Sequence, residues 1–140
     1  MRKMIVSGAV LLWSTVFAAA GVTPLNVKTG VWQVTMISKV GSTPNTSTYK
    51  SCVKKEALGE YPFTDPMAHC TWKVLSSTGS VMEATGTCKP EGLGNMTFSI
   101  KLVASDSENV KGTGQLTGAF NGTYSGTAKW IGAKCPANLN

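Results

Sequence analysis

The chain of 140 residues carries 13 basic and 7 acidic side chains, a net charge of +6, with 15 glycines and a charged fraction of only 14%. That length suits one domain with a real core and argues against a multidomain chain. Beyond residue 20 the lysines are scattered and Lys54-Lys55 is the one adjacent basic pair; without a basic stripe interleaved with aromatics, nucleic acid is not an expected partner.

Residues 1–20 have the three parts of a secretory signal: Arg2 and Lys3, an apolar run from Ile5 to Phe17, and the small-residue site Ala18-Ala19-Ala20. The apolar run is shorter than the ~20 residues a stable span requires, and no later stretch is long or apolar enough to cross a bilayer. Residues 21–140 are therefore expected as a single soluble domain exported to an oxidising compartment. Loss of Arg2 and Lys3 lowers the net charge from +6 to +4.

Strand signals follow. In GVWQVTMISKV (30–40), Trp32, Val34 and Met36 fall on one face, with Gln33 and Thr35 on the other. Ser42 to Thr48 is polar and reads as a turn, with a second strand from Thr48 to Val53. Lys54 to Glu60 is the one helix candidate, about two turns long. The stretch from Glu60 to His69, with Pro62 and Pro66, is an irregular loop. HCTWKVL and VMEATGTC flank SSTGS (76–80). A hairpin centred near Gly79 sets Cys70 against Cys88, Trp72 against Gly86 and Val74 against Ala84 on one buried face. MTFSIKLV (96–103) alternates Met96, Phe98, Ile100 and Leu102 with Thr97, Ser99 and Lys101, as an antiparallel sheet with one wet face requires. For the last hairpin, a three-residue loop Phe120-Asn121-Gly122 sets Leu116 against Gly126, Gly118 against Tyr124 and Gly112 against Trp130, large residues over glycines. A two-residue turn at Asn121-Gly122 would mix apolar and polar faces. The fold expected is all-β: a single antiparallel meander of six or seven strands forming a curved sheet or partly closed barrel with one short helix, a β-sandwich being the alternative.

Four cysteines, Cys52, Cys70, Cys88 and Cys135, lie outside the signal. An even count in an exported chain points to two disulfides. The hairpin register assigns Cys70–Cys88, leaving Cys52–Cys135 by subtraction. Spacings of 18, 18 and 47 residues contain no short chelating pair, so neither a metal nor any other cofactor is expected.

Catalytic signals are weak. His69 is the single histidine, so a triad or zinc site would lack a second imidazole. Ser47-Thr48-Tyr49-Lys50 and Ser51-Cys52-Val53-Lys54 both match Ser-x-x-Lys, but the accompanying Lys28-Thr29-Gly30 comes in the wrong order and the domain is too small for such an enzyme. Glu56 and Glu60 beside Lys54 and Lys55 read as a solvated helix face. Trp32, Trp72, Tyr124 and Trp130 fall on the inner face, as core or as the lining of a pocket for an apolar ligand.

Gly30-Val31-Trp32, Cys52-Val53, the Cys70 to Cys88 hairpin and the closing Lys129-Trp130-Ile131-Gly132-Ala133-Lys134-Cys135 together resemble the bacterial domain of unknown function 3617 family, over nearly all of residues 21–140. The resemblance implies a small exported protein of a Gram-negative bacterium, hence a periplasmic location, with no established activity, and carries over no catalytic residue. Two functions are open: a periplasmic binding or accessory module for a small apolar ligand or an envelope component, and a protein–protein module (an inhibitor or assembly factor) acting through Tyr61 to His69. A cavity lined by Trp32 and Trp130 favours the first, and an exposed loop carrying Tyr61, Phe63 and Met67 the second. An enzyme ranks third.

The mature protein is expected to begin at Gly21 and to hold no free thiol. N-terminal sequencing and thiol titration of exported, unreduced, unfolded protein test this; an intact Met1, or two titratable thiols, contradicts it.

Overall fold

A computed structural model describes residues 23–65, 69–89 and 94–139; the expected signal and Met67 lie outside the described residues. Within them run seven antiparallel strands: β1 (Gly30–Val40), β2 (Thr43–Val53), β3 (Cys70–Ser77), β4 (Val81–Cys88), β5 (Met96–Asp106), β6 (Asn109–Gly118) and β7 (Gly122–Gly132). They form one sheet in the order β2-β1-β7-β6-β5-β4-β3. The alternation read from the sequence is the burial pattern observed. Trp32, Val34, Met96, Ile100 and Leu102 are buried, with Met36 and Phe98 half-buried, while Gln33, Thr97, Ser99 and Lys101 face out.

The sheet is not closed: β2 and β3 are its two edges, and the chain passes directly from one to the other through residues 54–69. Side chains from both edges nevertheless line one cavity with residues from β1, β4, β5 and β7, so the sheet is curled into a cup. The crossing segment fills its hollow. Tyr61 stacks on Trp72 of β3 at 3.9 Å between centroids, Phe63 packs against Trp32 of β1 at 5.2 Å, and the Tyr49 hydroxyl of β2 donates to the Phe63 carbonyl at 2.8 Å. Ser51, 2% exposed, donates to Thr64 O at 3.0 Å, with Pro62 O at 3.3 Å as its alternative acceptor.

One end of the cup is stoppered by the segment leading into β1. Its backbone is held to the β3–β4 turn by Asn26 N–H to Gly79 O (2.7 Å) and to the β5–β6 turn by Lys28 N–H to Ser107 O (2.9 Å). Leu25 and Val27 thereby enter the core. Cys52–Cys135 lies at this end and joins β2 to the segment after β7; Cys70–Cys88 lies at the other and ties β3 to β4. Both pairs are those expected. The first spans 83 residues of chain, a loop length for which the chain-entropy model gives about 4–5 kcal/mol.

Three expectations need correction. Ser42 to Thr48 is not a turn: β2 starts at Thr43 and pairs with β1 along its length. Gly41, at φ 67°, and Ser42 are the whole turn, positive φ at the first of two central residues being what a type II′ hairpin requires. Lys54 to Glu60 is not a two-turn helix but a single 3₁₀ turn, Lys55–Ala57, because the chain must then dive into the cup at Tyr61. The β6–β7 register is Leu116 against Gly122, Gly114 against Tyr124 and Gly112 against Gly126, four residues from the expected three-residue loop. Gly118 pairs with Met96 of β5, and Trp130 sits opposite Trp32 of β1. An even slip keeps every side chain on its face, so the inner-face set survives while the partners change. The β3–β4 register agrees from Cys70 to Val74, after which a bulge throws Leu75 out, 56% exposed.

Large residues do lie over glycines. A Cβ at Gly86 would be 2.6 Å from the Trp72 indole, and one at Gly114 would collide with the Ser99 carbonyl and lie 2.7 Å from the Tyr124 ring. Gly114→Ala is expected to lower stability by ~1–3 kcal/mol through overpacking, against under about 0.5 kcal/mol for Thr113→Ala on the wet face. Denaturant melts decide; equal midpoints contradict the register. Gly118→Val should also destabilise, but because φ is 129° there and not through Tyr124, so a Tyr124→Leu background should leave its cost unchanged.

Candidate ligand-binding site

Opposite the stoppered end, the cup holds a cavity of about 320 Å³. Its wall is a run of aromatic rings. Phe63 and Tyr61 meet edge to face at 6.4 Å, Tyr61 stacks on Trp72, Trp72 and Phe98 are tilted at 6.3 Å, and Phe98 meets Tyr124 edge-on at 5.6 Å. Met36, Met96, Ile100 and the Cys70–Cys88 disulfide complete the apolar lining, while Tyr49, Ser47 and Asp65 add polar groups. Below lies a much smaller void of about 20 Å³ bounded by Val34, Leu102, Val110 and Ala128, so the floor is close-packed core.

Of the four aromatics expected to line a pocket, the structure brings Trp72 and Tyr124 to the cavity. Trp32 is wholly buried beneath it, its indole N–H donating to Lys28 O at 2.8 Å. Trp130 lies toward the stoppered end, donating to Thr29 O at 3.1 Å with the Lys28 ammonium 4.6 Å from its ring centre. Tyr49, Tyr61, Phe63 and Phe98 replace them. Phe98 was visible in the alternation of β5, and Tyr49 follows from its pairing with Val34 once β2 is extended back to Thr43. Tyr61 and Phe63 sit in a loop without periodicity, where two aromatics flanking Pro62 were the only signal.

Two of the phenols have their protons engaged by backbone carbonyls. Tyr124 donates to Ser99 O at 2.8 Å and Tyr49 to Phe63 O, which leaves each phenol oxygen an acceptor. Burial, reinforced by the nearby Asp65 carboxylate, holds the Tyr49 phenol well above its ordinary pKa. Tyr124 is raised by burial and then by Tyr49, and Tyr61 by burial and then by both other tyrosines. The three phenols thus share one poorly solvated space. Exposed His69 stands beside Cys70 with its carbonyl accepting from Lys89 N–H at 3.2 Å. Among the described residues no cluster of histidine, cysteine, aspartate or glutamate is placed to hold a metal ion, and no helix is long and apolar enough to cross a membrane.

Because the folded-state phenol pKa values are raised, the stability they confer is complete below the unfolded value of about 10 and is lost as pH climbs above it. All three tyrosines of the chain line this cavity. Phenolate absorbance should therefore stay silent through pH ~10 while the protein is folded and appear together with alkaline unfolding. A tyrosine that titrates near pH 10 in the folded protein contradicts the arrangement.

No curated protein and no solved structure matches the chain. A family model described as Protein of unknown function (DUF3617) matches residues 27–135, from the segment that stoppers the cup to the last cysteine. The chain therefore belongs to the DUF3617 family.

Proposed function

We propose that this is a periplasmic binding module that holds a small apolar ligand in the aromatic cavity. The observation that carries the reading is the cavity itself: its volume falls at the low end of the ~300–1,000 Å³ usual for small-molecule sites, and its walls are apolar with a few convergent hydroxyls. Two disulfides support residence in an oxidising compartment. The hydroxyls of Tyr49, Tyr124 and Ser51 are engaged with backbone carbonyls, and no imidazole lines the space, which favours binding over catalysis. The alternative of a docking loop is disfavoured by Tyr61 and Phe63, which are 5% and 2% exposed and face inward.

Titration of the oxidised protein with the apolar fluorophore N-phenyl-1-naphthylamine tests the reading. Saturable binding at one site per chain is expected. Ser47 is exposed on β2 and borders the cavity, so Ser47→Trp should obstruct it without entering the core. The variant is expected to bind at least about tenfold more weakly with an unchanged melting temperature. Absence of saturable binding to the wild type, or equal binding by a folded variant, overturns the proposal.

A further inference from the structure

On a protein with a net charge of +6, the one formally charged side chain among the described residues that line the cavity is an acid, Asp65. Asp65 lies near the Tyr49 phenol and opposes its ionisation. Around it stand Tyr49, Tyr61, Phe63, Trp72, Phe98 and Tyr124. Four of the ring contacts among them range from stacked, 19° between planes, to edge-on at 87°, so the rings of the wall are turned at several angles to one another.

Each plausible guest meets this wall differently. A buried anion would meet no basic side chain among the described lining residues, is disfavoured against aromatic faces and would be repelled by Asp65. A bare metal ion needs several oxygen ligands, and the wall is mostly carbon. A bulky organic cation is weakly hydrated, is attracted by aromatic faces once desolvated, and finds a carboxylate within the same lining. We infer that the ligand of this cavity is an organic cation, a quaternary or tertiary ammonium group carried on a small apolar body. The inference rests on the reading of the cavity as a ligand site and assigns that site a charge preference.

Three compounds of one shape separate the possibilities: phenyltrimethylammonium, its neutral isostere tert-butylbenzene, and the anion benzenesulfonate, each titrated calorimetrically into the oxidised protein. The cation is expected to bind roughly tenfold or more tightly than the neutral isostere, with benzenesulfonate weakest. Asp65→Asn should cut affinity for the cation by about fivefold or more while leaving tert-butylbenzene unchanged. Phe98→Leu, which removes one ring and keeps an apolar side chain, should likewise weaken the cation selectively. Neutral or anionic preference in the wild type overturns the charge assignment while leaving the cavity a ligand site. So does failure of all three compounds when N-phenyl-1-naphthylamine still binds; if that probe fails as well, the parent reading falls with it. A cation preference that persists undiminished in folded Asp65→Asn and Phe98→Leu also overturns the assignment.

Discussion

The seating of Tyr61 and Phe63 inside the sheet is the constraint on which the rest depends. A seven-stranded sheet with edges at β2 and β3 has no ladder of hydrogen bonds to close it, and an open inner face as apolar as this one would be unstable in water. The crossing segment supplies the missing wall. It is anchored to β2 through the hydroxyls of Tyr49 and Ser51, to β1 through Phe63 on Trp32, and to β3 through Tyr61 on Trp72. Burying two aromatic side chains contributes ~1.5–3 kcal/mol each against the entropy of ordering a loop that has little regular structure of its own. The same residues then become part of the cavity wall, so closure and site are one feature.

Glycines make the curl sterically possible. Trp72 lies over Gly86 and Tyr124 over Gly114 so closely that a single methyl group would not fit. In both cases the aromatic ring crosses to a neighbouring strand and occupies the volume that a side chain there would have taken. The Tyr124 ring reaches far enough to bond the Ser99 carbonyl of β5, two strands away. The first pair draws β3 and β4 together on the inner face, and the second draws β5, β6 and β7 together.

The two ends of the cup are stabilised differently. At the stoppered end, Leu25, Val27, the turn-to-backbone hydrogen bonds and Cys52–Cys135 lock the termini of the domain onto the sheet. At the cavity end, the exposed edge hairpin is stapled by Cys70–Cys88, which limits how far β3 can part from β4 where the wall would otherwise be weakest. A close-packed floor beneath a disulfide-bordered rim makes the cavity preformed, so a ligand held there would lose little affinity to ordering of the wall.

Strand faces and the Cys70–Cys88 bridge were legible in the sequence because they are local. Period-two alternation around Trp32 and Phe98 declares which side is wet, and a hairpin with a short turn carries its own register; Cys52–Cys135 then followed by exclusion. The start of β2 was illegible because Thr43 to Thr48 is exposed and, apart from Pro44, polar, and a strand without an apolar face has no alternation to show. The expected helix at Lys54 to Glu60 gave way because its successor residues are drawn into the core, a tertiary demand that overrides local propensity. The β6–β7 register could not be read from its turn, since each strand is also held on its far side, β6 by β5 and β7 by β1. Composition, period and cysteine parity thus determined a disulfide-linked, one-sided β-sheet. Which aromatics wall the cavity was decided only in three dimensions, because the burial of Tyr61 and Phe63 depends on two sheet edges that are brought together by folding.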